Sequence, residues 1–253
     1  MIEWLSEVFA KDAFYLPFAS TVSAALVLLL LQFIARIVTE QRKKLYAVAY
    51  TLDSCFRALN SSAIILRHTV NPHIEAAKRI LEGEHELLQK MFLSGDFDIL
   101  TDDTPHFDHL TTDTKVLLGG DDVELVQLAD TLNNLCANDR KERALNSFVA
   151  QNLGDFHVFA SLEESRRNAI VAAYWDHLEG IRINLERLIA FIAHIIAPRF
   201  VKYSKSWQFW CFARGSIRTA KQRLASSQEI NSDLIPNSEF FFERVQSGIQ
   251  RAL

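Results

Sequence analysis

The chain has few residues that interrupt helices. It contains eight glycines and five prolines in 253 residues, and hydrophobic residues make up 49% of it. A composition so poor in chain breakers, combined with long periodic stretches, predicts an all-α protein. The same scarcity of glycine leaves little material for phosphate-binding loops, and the chain carries no Walker A, dinucleotide-binding or nucleophile-elbow motif. An enzyme is therefore disfavoured, and no cofactor is predicted.

Cysteine is also scarce. The three cysteines, Cys55, Cys136 and Cys211, are odd in number and lack the paired spacing of metal-binding knuckles. They are typical of reduced thiols in a cytoplasm, and they argue against a disulfide framework.

Charge is absent from one long segment. Twenty-three residues separate Asp12 from Arg36, and none of them is charged. As a helix they reach roughly 34 Å, enough to cross a hydrocarbon core of about 30 Å. A cleaved signal peptide would have a basic start and a shorter apolar core. We therefore predict a retained single-pass transmembrane helix over residues 13–35, preceded by a short extracytoplasmic segment, residues 1–12.

The flanking charges predict how this helix is oriented. The amino-terminal side offers only Lys11, whereas four bases follow the apolar segment: Arg36, Arg42, Lys43 and Lys44. The positive-inside rule places such a cluster on the cytoplasmic side. The sequence thus predicts a cell (inner) membrane protein with its amino terminus outside and residues 36–253 in the cytoplasm.

Small residues lie on neighbouring faces of the anchor. Ala19 and Ser23, and likewise Ser20 and Ala24, are four residues apart. Small side chains at this spacing let two helix backbones approach closely in lipid. These four residues are a candidate packing face for a homo-oligomer, although small residues are common in membrane helices generally.

Two stretches repeat a buried-type residue at alternating steps of three and four. The first follows the anchor and comprises Leu45, Val48, Leu52, Cys55, Leu59, Ser62 and Leu66. The second comprises Val171, Tyr174, Leu178, Ile181, Leu185, Leu188, Ile192 and Ile195. This heptad-like spacing is typical of nearly parallel helices in a coiled coil or bundle. Residues 36–253 are therefore predicted to form one elongated helical bundle that continues the membrane helix.

Local signals predict where the helices end. Pro72 should end the first helix, because proline disfavours helical geometry in the residue before it, and should begin a second helix that runs to about Phe92. Residues 94–122 are rich in aspartate and turn formers and are predicted to be an acidic loop region.

Further along the chain, shorter helices are predicted over residues 122–137 and 139–153, with a break near Asn138-Asp139. The longest soluble helix is predicted to begin at Ser161, whose hydroxyl would cap the free amides while Glu164 completes a capping box.

One segment combines bases with aromatic residues and has no acid. Between positions 199 and 223 the candidate surface residues are Arg199, Lys202, Lys205, Trp207, Trp210, Arg214, Arg218, Lys221 and Arg223. As one helix, these residues could bind anionic lipid headgroups or stack on single-stranded nucleic acid. The alternative is that the aromatic residues pack in the bundle while the bases are solvated or pair with the acidic first half. Nucleic acid is the least favoured partner, because residues 39–139 carry seventeen acids and nine bases.

Two weak candidates for a metal site remain. Glu82 and His85 have the Glu-x-x-His spacing of di-iron bundles, but such sites need a second copy, which we do not find. His106, Asp108 and His109 lie within the acidic loop region without a defined motif. No metal site is predicted from either group.

These features favour a binding protein over an enzyme. The sequence predicts a membrane-anchored adaptor, sensor or scaffold that holds a partner protein at the cytoplasmic face, as an oligomer. The lipid bilayer itself is the other expected partner. One alternative is an effector whose associated anchor helices perturb the bilayer when triggered, and a second is a membrane-tethered metalloenzyme.

Overall fold

The computed structural model describes residues 2–84, 86, 87, 90, 123–152, 156–205 and 214–237. Its α-helices are α1 (Ile2–Ile65), α2 (Asn71–Leu81), α3 (Val123–Asn152), α4 (Phe156–Ala160), α5 (Glu164–Phe191), α6 (Ala197–Tyr203) and α7 (Arg214–Ile230). Two five-residue π-helical turns, Leu66–Val70 and Ile192–Ile196, and one 3-10 turn, Ser232–Leu234, complete it. The described residues contain no strand, so the all-α prediction is confirmed for them.

Helix α1 carries a long apolar surface that none of the other described residues covers. Its large apolar side chains from Val22 to Ile37 are 41–63% exposed around the whole helix. In the described part of the chain this is the one helix long and apolar enough to cross a membrane, and none of its apolar window is buried. The apolar segment is therefore a candidate membrane span and is not part of the bundle core.

The same helix becomes a core element further along. From Leu45 onward one face is buried, and all seven seam residues predicted between Leu45 and Leu66 are at most 2% exposed. The opposite face stays open to solvent, as Tyr46 and Tyr50 show. The alternating burial confirms the heptad-like seam and marks Leu45 as the level at which the bundle begins.

Pro72 does not end the first helix, so that prediction is wrong. Helical backbone angles continue through Ile65, Val70 and Asn71, across the π turn Leu66–Val70 and into α2. A π turn contains one extra residue, which moves carbonyl groups away from the proline ring and accommodates its missing N–H group. The proline is thus absorbed at the start of α2.

Helix α2 ends earlier than predicted, at Leu81 instead of about Phe92. Gly83 follows with φ of 110°, and its backbone N–H donates to the carbonyl of Ile80 while the N–H of Glu84 donates to that of Arg79. This left-handed glycine closes the helix, because other residues reach that conformation only with strain. Residues 94–122, the predicted acidic loop region, lie outside the described residues.

Helix α3 is a single helix of 30 residues, so the predicted break at Asn138-Asp139 is wrong. Leu125, Ala129, Leu132 and Cys136 lie on its buried face, and Asp139 and Arg143 extend that face beyond the predicted break. Tertiary packing along this face overrides the local preference of asparagine and aspartate for helix ends.

Helix α5 starts at Glu164, with Glu163 as the N-cap residue and no side-chain cap hydrogen bond. The predicted capping box is therefore wrong. The Ser161 hydroxyl instead donates to the carbonyl of Val158, 2.7 Å away. Seven of the eight predicted seam residues from Val171 to Ile192 are buried.

The eighth seam residue, Ile195, is only half-buried, because the second π turn shifts the register. The extra residue turns Ile196 and Phe200 inward, and both are 0% exposed. Arg199, which an unbroken heptad would bury, stays on the surface. Pro198 follows this turn as Pro72 follows the first one.

Ion pairs between distant residues show how the helices run. Arg223 on α7 contacts Asp53 on α1 at 3.4 Å, and Arg67 contacts Asp233 just beyond α7 at 2.8 Å, so α7 runs parallel to α1. The last turns of α5 pack beside residues 45–59 of α1, whereas its first turns pack beside Leu66 and α2. Helix α5 is therefore antiparallel to α1.

Helix α3 is placed by its own first turn. Glu124 contacts Arg199 on α6 at 3.3 Å, and Cys136 lies twelve residues further in the same core cluster as Cys55. Helix α3 thus runs in the direction of α1. The bundle has two consecutive core clusters, one next to the apolar segment and one at the far end.

Candidate functional site

The near end of the bundle, at the level of Leu45, brings together the sequence-predicted basic residues. Phe200 on α6 and Ile217 on α7 belong to the same core cluster as Leu45. The end of α6 and the start of α7 therefore lie beside the segment of α1 that leaves the apolar span. The fold alone produces this convergence, because α6 and α7 run in opposite directions.

The bases themselves point outward. Lys202, Lys205 and Arg218 are exposed. Burial lowers the pKa of the partly buried Lys221, and the nearby Lys205 ammonium lowers it further. Lys205, in the turn after α6, is therefore a neighbour of Lys221 on α7. We call these four residues, Lys202, Lys205, Arg218 and Lys221, the basic end surface.

Two other predicted bases have acidic partners. Arg199, 56% exposed in its side chain, contacts Glu124, and Arg223 contacts Asp53. The prediction that some bases would pair with the acidic first half is thus met for these two. Arg214 begins α7, and its side chain lies outside the described residues.

The segment of bases and aromatic residues between positions 199 and 223 does not form one helix. Helix α6 ends at Tyr203, where Ser204 and Lys205 form a turn, and α7 is a separate helix. Phe200 is buried in the core and Tyr203 is half-buried, so these aromatic residues stabilise the bundle. Trp207 and Trp210 lie outside the described residues.

The other predicted site residues are placed only in part. Ser23 and Ala24 are exposed on α1, whereas the side chains of Ala19 and Ser20 lie outside the described residues. Glu82 lies in the turn after α2, so the continuous helix that a Glu-x-x-His face requires ends before it. His85, His106, Asp108 and His109 lie outside the described residues. Within the described residues no three His, Cys, Asp or Glu side chains form a group that could hold a metal ion.

The structure shows one buried ionic site that the sequence reasoning missed. On α3 the Arg143 Nη2 atom lies 3.0 Å from Asp139 Oδ2, and the two side chains are 5% and 0% exposed. Burial raises the pKa of Asp139 to about 6, although Arg143 and then Arg140 act in the opposite direction. The spacing of four residues between acid and base was the available signal. The helix break predicted at Asn138-Asp139 would have left Asp139 outside the helix that carries Arg143.

The Cys136 thiol lies close to this pair, and the Cys55 thiol lies close to Cys136. Burial raises the pKa of Cys136 to about 12, and the neighbouring Asp139 carboxylate adds to the effect. The Cys55 thiol on α1 is fully buried, and its pKa is also raised, first by burial and then by Cys136. Since the thiolate is the reactive form, both side chains act as apolar core residues.

A polar contact joins α2 and α5 at the far end of the bundle. The His73 Nδ1 atom on α2 lies 2.9 Å from the Tyr174 hydroxyl on α5, and both residues are buried. Nearby, Arg67 holds both carboxylate oxygens of Asp233, at 2.8 and 3.0 Å. These contacts fix α2 and the segment after α7 against the core.

The chain matches no protein-family model, and no curated protein sequence and no solved structure is similar to it.

Proposed function

We propose that this chain is a single-pass membrane protein whose cytoplasmic helical bundle holds a partner protein, or a second copy of itself, at the membrane. The observation that carries the proposal is the continuity of α1. One 64-residue helix presents an exposed apolar surface from Val22 to Ile37 and then supplies the central buried seam of the bundle.

This continuity supports a role in coupling the two regions. A straight helix transmits a rotation or a shift along its length, because its backbone hydrogen bonds resist local bending. A change in bundle packing caused by a bound partner would therefore reach the membrane helix, and the reverse would also hold. The orientation supporting this role, with the bundle in the cytoplasm, rests on the positive-inside rule.

The outer face of α1 is the surface best suited to a partner. Tyr46, Tyr50 and Ile64 lie on this face at steps close to multiples of a helical turn, and they are 61%, 44% and 51% exposed. Tyrosine is enriched in protein interfaces, because it combines a large apolar area with a polar group and little loss of side-chain entropy. Copies anchored in one membrane would present this face side by side.

Photo-crosslinking in intact cells tests the partner. A photoreactive amino acid replaces Tyr46 or Tyr50 in the full-length protein, and the matched control replaces Lys141, which is exposed on α3. We expect one discrete product, shared by Tyr46 and Tyr50 and absent at Lys141. Mass spectrometry of that product then distinguishes a second copy from another protein. No product at either tyrosine, or the same products at Lys141, would contradict the proposal.

A reporter fused after Leu253 tests the orientation separately. We expect activity from a cytoplasmic reporter and none from one that works only outside the cell. The reverse result would show that the bundle faces outward, and the proposed function would then be wrong whatever the crosslinking shows.

A further inference from the structure

We propose that the basic end surface binds the anionic phospholipid headgroups of the leaflet from which α1 emerges. This inference rests on the proposed membrane anchoring, and it adds a second, electrostatic attachment of the bundle to the same bilayer. The surface joins Lys202 and Lys205, at the end of α6 and in the turn after it, to Arg218 and Lys221 on α7. One continuous helix would have held these two groups far apart.

The height of the surface above the membrane fits this role. The exposed apolar segment of α1 that begins at Val22 ends at Ile37, and the first fully buried bundle residue is Leu45. Eight helical residues span about 12 Å. The headgroup region of one leaflet extends roughly 5–8 Å beyond the hydrocarbon core. The near end of the bundle therefore lies within a lysine side chain's length of the headgroups.

Three bases at this end have no acidic partner among the described residues. Some arginines elsewhere on the bundle are held by carboxylates, as Arg57 is by Asp53 and Arg182 is by Glu179 and Glu186. In contrast, the described residues place no acid within ion-pair distance of Lys202, Lys205 or Arg218; the nearby Glu124 is engaged by Arg199.

Like charges that crowd together are unfavourable unless an opposite charge faces them. Lys205 lies close enough to lower the pKa of Lys221, so the crowding is already felt within the protein. Arg42 and Lys43 are also exposed on α1 between the apolar segment and Leu45, and they add charge of the same sign. An anionic membrane surface offsets this repulsion, and each base near it contributes about 1 kcal/mol, or about fivefold in binding.

Chemical labelling of lysines tests the inference on the full-length protein. The protein is placed in nanodiscs of phosphatidylcholine, with or without phosphatidylglycerol, and acetylated briefly with a water-soluble reagent. Mass spectrometry then gives the rate at each lysine. Nanodiscs expose both faces of the bilayer, so the result does not depend on the orientation that the reporter fusion tests.

We expect Lys202 and Lys205 to react at least about fivefold more slowly in the anionic discs, and high salt to remove the protection. Lys78 on α2 and Lys141 on α3 are exposed away from this end and serve as internal controls. Equal rates in the two kinds of disc would overturn the inference. So would slowing of equal size at Lys78 and Lys141, because that would reflect a general effect of the anionic lipid on the reagent.

A charge-reversal variant tests whether the bases bind lipid together as one surface or whether each lysine binds independently. The variant Arg218→Glu should restore much of the labelling of Lys202 and Lys205 in anionic discs. The matched variant Arg166→Glu, at an exposed position near the start of α5, should leave the protection unchanged. Unchanged protection in Arg218→Glu, or an equal loss in Arg166→Glu, would contradict the proposal.

Discussion

The buried Asp139 carboxylate makes the stability of the bundle depend on pH in an unusual direction. Its ordinary pKa of 3.8 is raised to about 6 in the folded protein, because burial disfavours the charged form more than Arg143 favours it. The folded protein therefore binds a proton more tightly than the unfolded chain does. The contribution of Asp139 to the free energy of unfolding is fully present below about pH 3.8. It falls as the pH rises towards 6 and is lost above that.

The size of the effect follows from the two pKa values. Each pKa unit corresponds to about 1.4 kcal/mol, so the rise from 3.8 to about 6 corresponds to about 3 kcal/mol in total. Most of this falls between about pH 4 and pH 7, where we expect a loss of about 2–3 kcal/mol. Other groups also make the free energy of unfolding depend on pH, so the contribution of Asp139 must be obtained as a difference.

The variant Asp139→Asn provides that difference, because an amide resembles the protonated carboxyl in size and does not titrate. Denaturant unfolding of the full-length protein in detergent, followed by circular dichroism, gives the free energy of unfolding at each pH. We expect the variant to gain about 2–3 kcal/mol relative to the wild type between about pH 4 and pH 7. Any fixed effect of the amide cancels in this comparison.

The opposite sign would refute the reasoning. If the ion pair with Arg143 outweighed the cost of burial, the wild type would gain stability relative to Asp139→Asn as the pH rises. The control Asp233→Asn removes an ion pair whose carboxylate side chain is 62% exposed. Surface pairs contribute little, so this variant should change the free energy of unfolding by less than about 1 kcal/mol at either pH.

Three further measurements test other parts of the fold. Leu52→Ala leaves a cavity at a fully buried seam position and should lower the free energy of unfolding by about 2–5 kcal/mol. The control Tyr50→Ala, two residues away on the exposed side, should lower it by less than about 1 kcal/mol. Gly83→Ala should destabilise by about 1 kcal/mol, because φ is 110° there, although no atom would clash. Gly180→Ala, in the helical part of α5 and equally without a clash, should instead stabilise by about 0.5–1 kcal/mol; a common sign for both glycines would contradict this account. The third measurement is the rate of alkylation of Cys136 in the native protein, followed by mass spectrometry. Cys136 should react about a thousandfold more slowly than an ordinary thiol near pH 8, because its pKa rises from 9.0 to about 12. An ordinary rate would show that the site opens.

The sequence alone determined the features that depend on neighbours along the chain. The seam from Leu45 and the first seven residues of the seam from Val171 were predicted correctly, because a helix turns a period of three to four residues into one buried face. The apolar segment before Arg36 is a candidate membrane span in the structure as well. The level along the bundle at which a residue lies does not follow from that period.

The tertiary structure determined the features in which packing outweighs the local conformational preference of a residue. Asn138-Asp139 would favour a break in an isolated chain, but the buried face of α3 continues through it to Arg143. Pro72 and Pro198 are tolerated because a π turn precedes each of them, and the second turn also rotates Phe200 into the core. The free energy gained by burying these faces exceeds the local cost of the irregular turns.

The candidate site shows the same division. The sequence indicated which bases lie between positions 199 and 223, but it suggested one continuous helix. Only the antiparallel return of the chain places Lys205 beside Lys221 and leaves Arg223 to pair with Asp53, 170 residues away. Such contacts are set by the direction in which helices pack. Helix direction depends on the whole core, whereas a sequence pattern reports only the face of each helix that is buried.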